Sequence, residues 1–133
     1  MCESMKLVYV FSSKETPMII PENEGLEEVP ELLEELKKRG IQVELVDTAK
    51  LDESEVEELY LDAVGASVVK KYRIRQVFGT RRQSAIFFGK KVPALLVYEG
   101  DTAIDVYPHQ TIFGYVTTRD YLKRLLSKLE KEK

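Results

Sequence analysis

The chain has 133 residues, of which 44% are hydrophobic and 32% are charged, and its formal net charge is −3. This length and composition are typical of one globular domain and exclude a disordered or fibrous chain. The single cysteine, Cys2, and the single histidine, His109, exclude an internal disulfide, a pair of redox cysteines and a histidine-based metal cluster.

The first half of the chain predicts a β-α-β unit. Residues 6–12 are rich in β-branched and aromatic side chains and predict a buried strand. Residues 26–39 predict an amphipathic helix, with acidic residues first, basic residues last and Gly40 at its end. Pro30 lies either in the first turn of this helix or at a kink within a longer one. Residues 41–47 predict a second strand.

A second helix is predicted to begin at Asp52 or Ser54 and to end near Gly65. A short helical piece is predicted at residues 66–72. Residues 84–88 are a candidate for one extra short strand.

The second half of the chain predicts a hairpin and a final helix. Residues 92–98 form a continuous apolar run that is typical of a strand buried on both faces, and residues 102–107 predict its antiparallel partner. Thr118 or Asp120 is a candidate cap for a final helix that ends near residue 131. The order β-α-β, helix, β-β, α predicts an α/β fold with a mixed four-stranded sheet and helices on both faces.

This order of elements resembles the thioredoxin-like superfamily over roughly residues 5–130. The segment at 92–98, in which Pro93 opens the third strand, resembles the one that carries the family's cis-proline. Pro30 resembles the proline that kinks the family's first helix. The resemblance implies a single thioredoxin-like domain over residues 1–133, built as a three-layer sandwich, with Pro93 as a cis residue.

The sequence departs from the family at the positions where the family carries its two redox cysteines. Counting back from Pro30, those four positions are Glu22, Asn23, Glu24 and Gly25, and the alternative register at residues 16–19 also lacks a cysteine. Thiol–disulfide exchange needs a thiolate at this helix start, and a glutamate does not replace it. The resemblance therefore implies a redox-inactive domain that binds a protein or a peptide. Its candidate binding surface consists of Val92, Pro93, Glu22, Asn23, Glu24 and Gly25.

An uneven charge distribution supports an alternative function. Residues 1–62 carry 17 acidic and 6 basic side chains, whereas residues 63–98 carry 8 basic side chains and no acidic one. Either the two blocks pair with each other, or the basic block binds an anion or a nucleic acid. The sequence pI of about 5.3 favours pairing. The candidate anion-binding residues are Arg73, Arg75, Arg81, Arg82, Lys90 and Lys91.

Other functional classes receive no support from the sequence. We find no glycine-rich phosphate loop, no catalytic constellation and no pattern that requires a metal or a cofactor, and we interpret His109 as a surface or hydrogen-bonding residue. Glu3 and Lys6 interrupt the apolar character of the N-terminus, so we expect a cytoplasmic protein without a membrane partner. Abundant Glu and Lys with a single Asn resemble thermophile proteins. The sequence leaves the choice between a monomer and a homodimer open.

Overall fold

The computed structural model describes residues 5–14, 26–70, 93–111 and 114–131. Two short 3₁₀ turns, Leu26–Glu28 and Thr48–Lys50, accompany the regular elements. In chain order, the strands and helices are β1 (Met5–Phe11), α1 (Val29–Lys38), β2 (Gln42–Asp47), α2 (Glu53–Lys70), β3 (Ala94–Glu99), β4 (Thr102–Tyr107), β5 (His109–Thr111), β6 (Gly114–Val116) and α3 (Thr118–Lys131).

The main sheet has four strands in the order β2-β1-β3-β4. β1 and β2 are parallel, with Leu7 opposite Val43, and β3 runs antiparallel to both β1 and β4. The two central strands, β1 and β3, are the two continuous apolar runs of the sequence, because each is covered on both faces. β2 lies at one side of the sheet, which explains its alternation of apolar and polar residues.

Each face of the sheet carries its own apolar core. Successive strand residues point to opposite faces, so Val8 packs toward α2, while Leu7 packs toward α1 and α3. The α2 core contains Val8, Val10, Tyr60, Ala63, Ala94, Leu96, Tyr98 and Val106. The other core contains Leu7, Tyr9, Val29, Leu33, Leu36, Ile41, Leu95, Val97, Tyr107, Leu122 and Leu125. The predicted α/β class, with a mixed four-stranded sheet and helices on both faces, is confirmed.

The two ends of α1 follow directly from its sequence. The helix begins at Val29, so Pro30 occupies its first turn and does not kink a longer helix. At the other end Gly40 has a φ of +96°, and its N–H donates to the Lys37 carbonyl at 3.1 Å. The Ile41 N–H donates to the Leu36 carbonyl, also at 3.1 Å, which completes a Schellman motif.

Two helix boundaries differ from the prediction. α2 continues through Gly65 to Lys70, so the separate piece at 66–72 is wrong. Ala66 is buried and prolongs the inner face of the helix, and this packing outweighs the cost of about 1 kcal/mol for an interior glycine. At the start of α3 the cap is Thr117, whose Oγ1 accepts a hydrogen bond from the Asp120 N–H at 3.1 Å, and neither Thr118 nor Asp120 is the cap.

The β5–β6 hairpin, whose strands have three residues each, is not predicted by the sequence pattern. It follows the Tyr107-Pro108 peptide bond, which is cis. The candidate extra strand at 84–88 lies outside the described residues. In the part of the chain that the structure describes, no helix combines the length and apolar character that crossing a membrane requires.

Candidate functional site

The ends of all four strands meet at one end of the main sheet. β1 and β2 end there, β3 begins there and β4 ends there, since Val10 pairs with Ala94 and Leu95 pairs with Tyr107. We call this end the carboxyl edge, because the parallel strands β1 and β2 finish at it. Ligands of open α/β sheets bind preferentially beyond such an edge.

Hydrogen bonds fasten the ends of β1 and β2 to each other. Asp47 Oδ1 accepts from the backbone N–H of Ser13 and from that of Ala49, each at 3.0 Å. Thr48 Oγ1 donates to the Phe11 carbonyl at 2.9 Å. Hydrogen bonds from the side chain and the backbone of Ser13 are the main reason that the pKa of Asp47 lies below its ordinary value. The chain that leaves β1 is therefore held in a fixed position against β2.

An ionic cluster joins the beginnings of α1 and α3 near the same edge. Arg119 Nη1 lies 3.2 Å from Glu28 Oε2, and Lys123 Nζ lies 3.4 Å from Glu28 Oε1. The hydrogen bond from Arg119, and then that from Lys123, lower the pKa of Glu28. The carboxylate also lies just before the first turn of α1, where the helix dipole favours a negative charge.

An aromatic stack closes the side of the edge formed by β4 and α3. The Tyr107 ring lies 4.2 Å from that of Tyr121 and 4.5 Å from that of His109, between centroids. His109 is 3% exposed, and its Nδ1 lies 2.6 Å from the Val106 carbonyl oxygen. The hydrogen-bonding interpretation of His109 is therefore confirmed and the surface interpretation is wrong, because the hairpin after Pro108 folds the ring into the core.

An apolar groove of about 250 Å³ opens from the carboxyl edge along the side of β2. Phe11 and Pro30 lie at its end by the edge, and Leu45 lies on its outer side with 62% of its surface exposed. The full lining consists of Tyr9, Phe11, Pro30, Leu33, Glu34, Lys37, Val43 and Leu45. We call this the β2 groove. No sequence pattern predicts this groove, because the alternation along β2 favours an equally covered Val43 and Leu45.

The described ranges include only some of the site residues that the sequence predicts. Pro93 is buried at the carboxyl edge, directly before β3. The peptide bond before it involves Val92, which lies outside the described residues together with Glu22, Asn23, Glu24 and Gly25. All candidate anion-binding residues lie outside them too, namely Arg73, Arg75, Arg81, Arg82, Lys90 and Lys91.

Within the described ranges, no three His, Cys, Asp or Glu side chains are grouped so that they could hold a metal ion. The groups that these ranges offer at the carboxyl edge are thus hydrogen-bonded carboxylates, stacked rings and an open apolar groove. Comparison of the chain with protein-family models, with curated proteins and with solved structures gave no match.

Proposed function

We propose that the chain is a redox-inactive thioredoxin-like domain that binds a segment of a protein or a peptide beside its carboxyl edge. The order of elements on which the resemblance was based recurs in the fold, with β1 parallel to β2 and β3 antiparallel to β1. Pro93 stands at the start of β3, beside the end of β1. These features support the family assignment.

The β2 groove is the observation that carries the proposed function. A large apolar side chain that is 62% exposed beside an open apolar groove is a surface that a partner would cover. Small-molecule and cofactor pockets usually have about 300–1,000 Å³ and enclose most of the ligand. A groove of about 250 Å³, open along its side, fits one or two side chains of a polypeptide better than a whole cofactor.

Thiol–disulfide chemistry is not part of this proposal. Cys2 is the single thiol of the sequence, so no pair of cysteines is present to cycle between dithiol and disulfide. We expect the purified protein to leave the disulfides of insulin intact in a turbidity assay with dithiothreitol. Insulin reduction that persists in Cys2→Ser and disappears on replacement of Pro93 would contradict the redox-inactive assignment.

Selection from a random peptide library tests the binding function directly. We expect the immobilised protein to enrich a set of peptides that no longer bind to Leu45→Ser. Leu61→Ser is the matched control, because Leu61 is 58% exposed on α2, away from the groove. A library from which no peptide is enriched, or peptides that bind equally to the wild type and to Leu45→Ser, would refute a binding function at this groove.

A further inference from the structure

We propose that the bound segment adds to β2 as a fifth strand and carries alternating apolar and basic side chains. This inference rests on the proposed function, and it specifies how the partner binds and what its chemistry is. Three features of β2 support it: the state of its outer edge, the way its side chains divide between the two faces, and its charge.

Within the described ranges, the outer edge of β2 has few of the features that usually protect a terminal strand. Among the described residues β2 pairs with β1 alone, and that register runs without a break from Gln42 to Asp47. Its six residues include no proline, lysine or arginine. At the opposite side of the sheet, the pairing of β3 with β4 shifts between Val97 and Tyr98, and α2 packs against β4. Among the strands that the structure describes, β2 is thus the one whose outer edge suits pairing with a partner.

The side chains of β2 divide by chemistry between the two faces of the sheet. Val43 and Leu45 point to the α1 face, where they line the β2 groove. Glu44 points to the α2 face and is 57% exposed. An added strand continues this alternation, so every second side chain of the partner faces the groove and the others lie beside Glu44. The groove therefore selects apolar residues at alternate positions.

The charge on the α2 face selects basic residues at the remaining positions. On this face Glu44 lies 3.7 Å from Lys6 of β1. β2 itself carries two carboxylates, Glu44 and Asp47, and no basic side chain, so a strand added beside it meets a net negative charge. Pairing with a second copy of β2 would place side by side two strands that each carry Glu44 and Asp47 and no basic residue. The partner is therefore a different polypeptide with basic residues.

Fluorescence anisotropy with synthetic peptides tests the predicted pattern. We expect a capped ten-residue peptide of alternating valine and lysine to bind about tenfold more tightly than one of alternating valine and glutamate. Leu45→Ser should weaken its binding by about tenfold, and Glu44→Gln should weaken it several-fold, with the loss shrinking at high salt. Leu61→Ser should change nothing. Equal binding of the two peptides would overturn the inference.

Methylation of the peptide backbone tests strand addition without altering the protein. In a strand, alternate amides point to the same edge, so N-methylation of every valine and N-methylation of every lysine block opposite edges. We expect one of these peptides to lose binding and the other to retain it. Equal effects of the two patterns would overturn strand addition.

The outcomes separate this inference from the proposed function. A library that yields Leu45-dependent peptides without the alternating pattern would overturn the inference and leave peptide binding intact. If sedimentation equilibrium shows a homodimer that Leu45→Ser dissociates, the occupant of the groove is a second copy of the chain. That result would also overturn the inference.

Discussion

At the scale of single residues, three carboxylates fix the places where the chain changes direction. Asp47 holds the chain after β1, and Glu28 joins α1 to α3. Asp52 caps α2 by accepting from the Glu55 N–H at 2.9 Å, while Glu55 Oε1 accepts from the Asp52 N–H at 3.2 Å, which is a capping box. Hydrogen bonds lower the pKa of all three carboxylates, led for Asp52 by the bond from the Glu55 backbone. Each of them stabilises the fold in its ionised form.

The Asp47→Ala variant tests whether an ionised carboxylate stabilises the fold at the carboxyl edge. Because folding lowers the pKa of Asp47, its contribution is complete above the unfolded-state pKa of about 4 and is lost as the pH falls through the folded-state value. We expect the wild type to have a higher Tm than the variant at pH 7. The difference should shrink steadily below about pH 4. Thermal unfolding followed by circular dichroism from pH 7 to pH 2.5 measures this difference in Tm. A difference in Tm that is constant over this range would exclude ionisation of Asp47 as its source.

At the scale of elements, two glycines have opposite effects on the stability of their helices. Gly40 ends α1 with a φ of +96°, a conformation that L-residues avoid. Gly65 lies inside α2, where any other residue would lose less conformational entropy on folding. At both positions an added Cβ would meet no atom within 4 Å. Backbone conformation is therefore the factor that distinguishes the two sites.

The same substitution should consequently change stability in opposite directions. We expect Gly40→Ala to lower the free energy of unfolding by about 1–2 kcal/mol, and Gly65→Ala to raise it by roughly 0.5–1 kcal/mol. Urea denaturation measures both changes, as shifts of the midpoint at an unchanged m-value. A stabilised Gly40→Ala protein would contradict the Schellman motif, and a destabilised Gly65→Ala protein would contradict the continuous α2.

At the scale of the whole molecule, the acidic first half and the basic block remain the main electrostatic feature. Ion pairs within the described ranges link α1 to α3, as between Arg39 and Glu130 at 3.2 Å, and Lys6 to Glu44 on neighbouring strands. Apart from Lys70, the last residue of α2, the basic residues of 63–98 lie outside those ranges. Pairing between the two blocks is therefore a prediction from the sequence, and so is the alternative function of anion or nucleic-acid binding.

Binding to single-stranded DNA at several salt concentrations decides between these alternatives. Because its net charge is −3, the wild type should bind single-stranded DNA only weakly at physiological salt. We expect it to bind no more tightly than the variant that combines Arg81→Ala with Arg82→Ala. Tight binding that falls steeply with added salt and is weakened by the double substitution would favour the anion-binding alternative.

The sequence predicted those parts of the fold that local patterns determine. β4 was predicted with its observed bounds and β1 within one residue at each end, because apolar runs and turn residues mark them. The continuation of α2 beyond Gly65 and the burial of His109 depend on packing between distant segments. Local sequence patterns do not predict such packing. The same holds for the β2 groove, since Phe11, Pro30 and Leu45 meet only after β2 and α1 have packed beside β1.

The β3–β4 turn at Gly100 provides a defined place at which to attach the molecule. Gly100 has a φ of +62°, and both Gly100 and Asp101 are exposed at the end of the sheet opposite the carboxyl edge. A thiol introduced as Asp101→Cys in a Cys2→Ser background would tether every molecule to a sensor surface in one orientation. The β2 groove and the carboxyl edge would then face the solution, so that nearly the whole immobilised population remains open to a soluble partner.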